Sequence, residues 1–194
     1  MKTETQTQTQ IARKPNGVPV DQLAETMRQI RKNKEIARFE FRLENRWLVG
    51  GHNRGSSQGF FGALQEDTSR AKPFVFDADE PPCLLGENKG ANPVEFALMA
   101  LAGCLTTSLV YHAAALGIEL DSVTSSYEGD LDLRGFLGMD PGVRNGYEEI
   151  RVTFRIESKA PREKLEELVR IAQQRSPVFD TLTNPVPVKV ELAK

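Results

Sequence analysis

The chain has two thiols, Cys83 and Cys104, and Cys104 sits inside its longest apolar stretch, ANPVEFALMALAGCLTTSLVYHAAALG, residues 91–117. A cysteine there either packs as a small hydrophobe or reacts as a thiolate. Reaction needs ionisation of a group whose ordinary pKa is about 8.5, so only a few per cent is charged at neutral pH. Burial opposes ionisation, and the dipole of a helix fades within about its first turn. A reactive Cys104 therefore needs a cation brought from elsewhere. His112 lies roughly 12 Å further along the same helix, too far for an intrachain Cys–His dyad. Tyr111 and His112 suit an interface, while His52, Asn53 and Arg54 form a polar cluster able to hold a substrate group or to sit in a solvated turn. With no C-x-x-C, no His/Cys run of zinc spacing, no Gly-rich phosphate loop and no Ser-His-Asp signature, neither a metal nor a cofactor is expected.

The elements that must position these groups can be read from periodicity. Asn92 as N-cap, Pro93 at the first helical position and Glu95 as capping-box acid start a helix that Gly117 ends. Its roughly 36 Å length is apolar on nearly every face, which requires cover on all sides. VDQLAETMRQIRKNKE predicts an amphipathic helix docking by Leu23, Met27 and Ile30. Phe39, Phe41 and Leu43 alternate into a hairpin turning at Glu44-Asn45 and returning through Trp47 and Val49. A strand end and loop follow from His52, then a short strand at Phe74–Phe76. Two long strands are expected over Val123–Leu133 and Ile150–Ile156. A second amphipathic helix opens at Pro161, and a last strand runs from Val186 to Leu192. Strands and helices segregate, so the class is α+β. One small sheet covers only one side of the apolar helix, and a second copy of the chain is expected to cover the rest.

Length and composition bound the rest. The 194 residues suit one domain: a disordered leader over 1–19, the N-terminal amphipathic helix over 20–36 and an α+β domain over 37–194. Twenty-five basic and 27 acidic residues, interleaved to a net charge of −2, favour neither nucleic acid nor an anionic membrane. Polar residues Thr106, Thr107, Ser108, Tyr111 and His112 argue against a membrane span, and a cytoplasmic location is expected.

The stretch DADEPPCLLGENKGANPVEFALMALAGCL and the tail SPVFDTLTNPVPVKVEL resemble the OsmC/Ohr family of organic hydroperoxide reductases, over about residues 36–194. The resemblance implies antiparallel sheets wrapped around long central helices in an intertwined homodimer with active sites at the interface. It implies peroxide attack by Cys104, and an arginine from the N-terminal strands that activates the thiolate: Arg54, with Arg42 and Arg46 as rivals. A carboxylate near the Asn-Pro is implied to hold that arginine; the acid here is Glu95, which at nine residues' distance and near the opposite face could serve only the partner's Cys104 or act as a cap. The family's resolving cysteine is replaced by Ser176, which before Pro177 makes a good N-cap. Cys83 packs or serves as an alternative resolving thiol. Two activities follow as expectations: hydroperoxide reduction by Cys104 with an external thiol reductant, or a non-catalytic, small-molecule-binding or stress-associated dimer.

Overall fold

The computed structural model describes residues 14–193. It begins with α1 (Val20–Lys32) and six short strands: β1 (Phe39–Phe41), β2 (Glu44–Val49), β3 (His52–Ser57), β4 (Phe60–Gly62), β5 (Gln65–Asp67) and β6 (Phe74–Ala78). Then come α2 (Pro93–Ala115), β7 (Ser122–Asp130), the single turn α3 (Leu133–Phe136), β8 (Glu149–Glu157), α4 (Arg162–Arg175) and α5 (Pro177–Thr183). The sheets are antiparallel, in the orders β1-β4-β5, β2-β3-β6 and β7-β8, which is the α+β arrangement expected from the sequence.

Helix α2 starts as its residues dictate. The Asn92 side chain accepts from Val94 N at 3.0 Å, the Glu95 carboxylate accepts from Asn92 N at 2.8 Å, and Pro93 occupies the first turn. Gly117 leaves the helix at φ 70°, where a side chain would be strained, and Ile118 N closes the end on Ala113 O. Leu101, Leu105, Leu109, Ala113 and Ala114 form its buried face. Leu109 and Ala113 meet Leu168 and Ala172 of α4, with Val123, Phe154 and Ile156 of the β7-β8 sheet packed around them. Burying a leucine of this kind stabilises by about 1.5–3 kcal/mol. Among the described residues α2 alone has the length and apolarity of a membrane span, and its buried face is packed against α4 within the core.

The N-terminal half departs from expectation in three ways. Glu44 and Asn45 do not turn a hairpin; they are paired strand residues of β2, and the turn lies at Gly50-Gly51, where Gly50 takes φ 56°. The segment after His52, expected as a strand end and loop, forms β3, β4 and β5, because Gly-rich, weakly periodic strands are supported by their neighbours rather than by their own pattern. Helix α1 forms with no buried residue: Met27 is 48% exposed and Leu23 and Ile30 are half-buried, so the expected stripe is only partly covered among the described residues.

The two ends also differ. Of the leader expected to be disordered over 1–19, residues 1–13 lie outside the described residues. Residues 14–19 belong to the fold: Val18 is buried, and the Asn16 amide donates to Ile118 O (2.8 Å) and accepts from Leu120 N (3.0 Å). At the other end the expected strand over 186–192 pairs with no strand among the described residues, leaving Val190 and Leu192 90% and 97% exposed. Backbone alternation alone cannot make a strand; a ladder partner is required.

Helix α2 is not covered on all sides. Met99, Gly103, Thr107 and Tyr111, spaced by four, form an exposed stripe. Trp47, Phe74 and Phe76 are exposed on one face of the β2-β3-β6 sheet, and the strands 39–78 pack chiefly among themselves. A folded monomer of this mass exposes about 9,200 Å². This chain exposes 15415 Å². Thirteen fully extended residues add only about 2,100 Å², so residues 1–13 cannot close the gap.

Candidate functional site

Cys104 follows Gly103 on α2 and is half-buried, at the border between the helix's packed face and its open stripe. A Cβ added at Gly103 would meet no atom within 4 Å, so the approach to this part of the helix is open. Cys83 is exposed in a short 3-10 turn, Pro82–Leu84. Turns of the loop carrying it are tied to Asp79, a buried carboxylate that accepts the backbone N–H groups of Glu80, Glu87 and Lys89 at 2.8, 3.1 and 3.0 Å. Those bonds, led by that from Lys89, hold the Asp79 carboxyl below its ordinary pKa.

The candidate arginines separate clearly. Arg42, between β1 and β2, is held by Glu40 and by both oxygens of Glu66. Arg46 and Arg54 are directly opposed on β2 and β3, and Arg54 is opposed in turn by Asp77 on β6. The Arg54 fork grips Asp77 at both oxygens, 2.9 and 3.1 Å, while His52 Nε2 shares Oδ1 at 2.8 Å. Arg54 and then His52 lower the Asp77 pKa, and the arginine's own is raised in return.

Strand register says which way this cluster points. Residues 46, 54 and 77 occupy one face of the sheet; Trp47, Asn53, Gly55 and Phe76 occupy the other. Phe76 on that second face stacks edge-on against Phe96 of α2, with ring centroids 6.3 Å apart. Arg54 is thus directed away from the helix that carries its own Cys104.

Glu95 is spent locally, its carboxylate closing the capping box on Asn92 N. A second acid reaches the same place: Glu80 accepts from the Asn92 side-chain amide at 2.5 Å, tying the D-A-D-E segment to the start of α2. Ser176 is 2% exposed, and its Oγ caps α5 by accepting from Phe179 N at 3.1 Å. His112 is turned back onto its helix, with Nδ1 2.7 Å from Ser108 O. Among the described residues no three His, Cys, Asp or Glu side chains converge as metal ligands would. Sequence reading missed Asp77, Asp79 and Glu80; the signal available was the acid alternation of FDADE, which on a strand puts Asp77 and Asp79 on one face.

The family model described as OsmC-like protein matches residues 86–191. An OsmC-like protein from Mycoplasma pneumoniae is similar in fold, with TM-score 0.58 and 18% identity over 75% of this chain and 89% of that one. So is an organic hydroperoxide resistance protein OsmC from Legionella pneumophila, with TM-score 0.52 and 19% identity over 77% of this chain and 93% of that one. The comparison with curated protein sequences gives no match.

Proposed function

The chain belongs to the OsmC-like protein family, and on that premise we propose that it is a thiol-dependent reductase of organic hydroperoxides, with Cys104 as the reacting group. One observation carries the reading: Cys104 borders the face of α2 that its own chain leaves open, where a substrate and a cation from outside can both reach it. The Cys104 thiolate attacks the terminal peroxide oxygen; the O–O bond breaks, and the alkoxide leaves and takes a proton from water. Sulfur is oxidised to the sulfenic acid and the peroxide reduced to an alcohol. An external thiol then condenses with the sulfenic acid, releasing water, and a second thiol frees Cys104 as the mixed disulfide is reduced.

A second copy of the chain is part of this proposal. An excess of roughly 4,000 Å² per chain, after residues 1–13 are allowed for, exceeds the about 1,000–2,500 Å² per chain that obligate partners commonly remove from water, which leaves ample surface for an extensive interface. The open stripe of α2, the aromatic sheet face and the unpaired tail supply the surface. Because Arg54 is directed away from its own α2, the cation for each Cys104 comes from the other copy, as Arg54. We place the protein in the cytoplasm, where thiol reductants are available.

Ser176 favours a second reading, a dimer that binds a small molecule without turning over, because it fills the resolving position as a buried cap. Cumene hydroperoxide consumption with a dithiol reductant separates the two. Turnover by the wild type that Cys104→Ala loses, with a +16 mass increment on Cys104 after limiting peroxide, supports the reductase. Absence of turnover, or equal turnover by Cys104→Ala, removes it.

A further inference from the structure

Resting on the role proposed for Arg54, we propose that Asp77 is the positioning residue for that arginine, in place of the helix-borne Glu95, and that His52 locks Asp77 in place. Three side chains form a row on one sheet face: Arg46 on β2, Arg54 on β3 and Asp77 on β6. Directly opposed cross-strand residues have Cβ atoms about 5 Å apart, and like charges so placed repel. Arg54 is pushed by Arg46 and drawn by Asp77, which grips it at Nε and Nη2, 2.9 and 3.1 Å. Two parallel bonds fix the plane of the guanidinium, which a single bond does not.

His52 explains why the carboxylate holds still. It lies two residues before Arg54 on the same strand face, with its side chain 13% exposed, and bonds the oxygen that Arg54 Nε also uses. Rotation of Asp77 would break both bonds at once. Glu95 cannot substitute while it closes the capping box. Pairing does not silence the arginine: two guanidinium groups and one carboxylate leave the row one net positive charge. The arginine is therefore oriented within its own chain before any partner arrives, and needs no carboxylate from α2.

The test uses the intact protein in a Cys83→Ser background, so that Cys104 is the sole thiol, and reads its alkylation by iodoacetamide at pH 7 and at pH 10. A free thiol is almost wholly thiolate at pH 10, so comparison with the alkaline rate separates an effect of the cation from a change in access. Arg54→Ala is expected to slow the neutral rate about tenfold and leave the alkaline rate unchanged. Asp77→Asn is expected to do the same, to move the Arg54 Nε–H resonance in ¹⁵N NMR, and to be rescued by Asp77→Glu. His52→Gln, which keeps one donor, is expected to lie between. An unchanged neutral rate in Arg54→Ala removes the role of Arg54 itself. A slowed Arg54→Ala beside a normal Asp77→Asn overturns the role of Asp77 alone. Loss in Asp77→Asn at both pH values, without rescue by glutamate, marks general damage and also overturns it.

Discussion

Replacing Thr107 by arginine sets the isolated chain and the paired chain against each other. Thr107 is exposed on the open stripe of α2, four residues after Gly103 and four before Tyr111. In a lone chain the substitution touches solvent only, and arginine's better helix propensity makes it neutral or stabilising by a few tenths of a kcal/mol. Beneath a second copy, each arginine is an unpaired buried charge costing about 3–5 kcal/mol. Two such sites per dimer amount to about 6–10 kcal/mol, or four decades and more in dissociation constant. Sedimentation equilibrium and thermal melts between about 1 and 100 µM read the effect directly. Wild type is expected to sediment as a dimer. Its Tm rises about 2 °C per tenfold in concentration, from ~1.4 kcal/mol over an unfolding entropy of roughly 0.8 kcal/mol/K for two chains. Thr107→Arg is expected to sediment as a monomer with a lowered midpoint. Monomeric wild type with a concentration-independent Tm, or a Thr107→Arg dimer as tight as wild type, refutes the reasoning.

Four further outcomes follow from the same geometry. Gly103→Ala, with empty space around the added methyl, gains about 0.5–1 kcal/mol in a monomeric background carrying Thr107→Arg, yet lowers Tm where a second helix is close. Asn92→Ala removes the cap on Val94 N and the amide held by Glu80, and urea denaturation should record a loss of about 1–2 kcal/mol. Ser176→Cys is expected to form a disulfide between Cys104 and the introduced thiol after one equivalent of hydroperoxide, seen in non-reducing peptide maps, while weakening the α5 cap. For Asp79 the folded pKa is depressed, so its contribution is present above the unfolded value near 3.9 and is lost as pH falls through the folded value. The stability gap between wild type and Asp79→Asn is therefore wide at pH 7 and narrows below about pH 4, which urea melts at the two pH values test.

Short-range rules accounted for much of the C-terminal half. Asn92, Pro93, Glu95 and Gly117 placed both ends of α2 to within a residue, because capping is settled by atoms within one turn. Period-two alternation found β7 and β8, since one face packs on helices and the other meets water. The N-terminal sheet was much less legible. β3, β4 and β5 are short and rich in glycine or polar residues, and their pairing depends on partners up to 25 residues away, as between Asn53 and Ala78. The same is true of the site: Cys104, Arg54 and Ser176 could be named from the residues, whereas Asp77 became visible only when register laid it opposite Arg54.

By itself, then, the sequence determined the caps of α2, the thiol within it, the apolar character of that helix on nearly every face and a serine before Pro177 that caps the next turn. Tertiary structure decided which side of α2 stays open, that Glu95 is committed to a backbone N–H, that Asp77 and His52 share Arg54's counter-charge, and that Arg54 is directed away from its own Cys104. The reason is physical. A cap or an alternation is a local free energy written in adjacent residues, while the direction of a side chain across a sheet is set by strand register, and register exists only once distant segments have met.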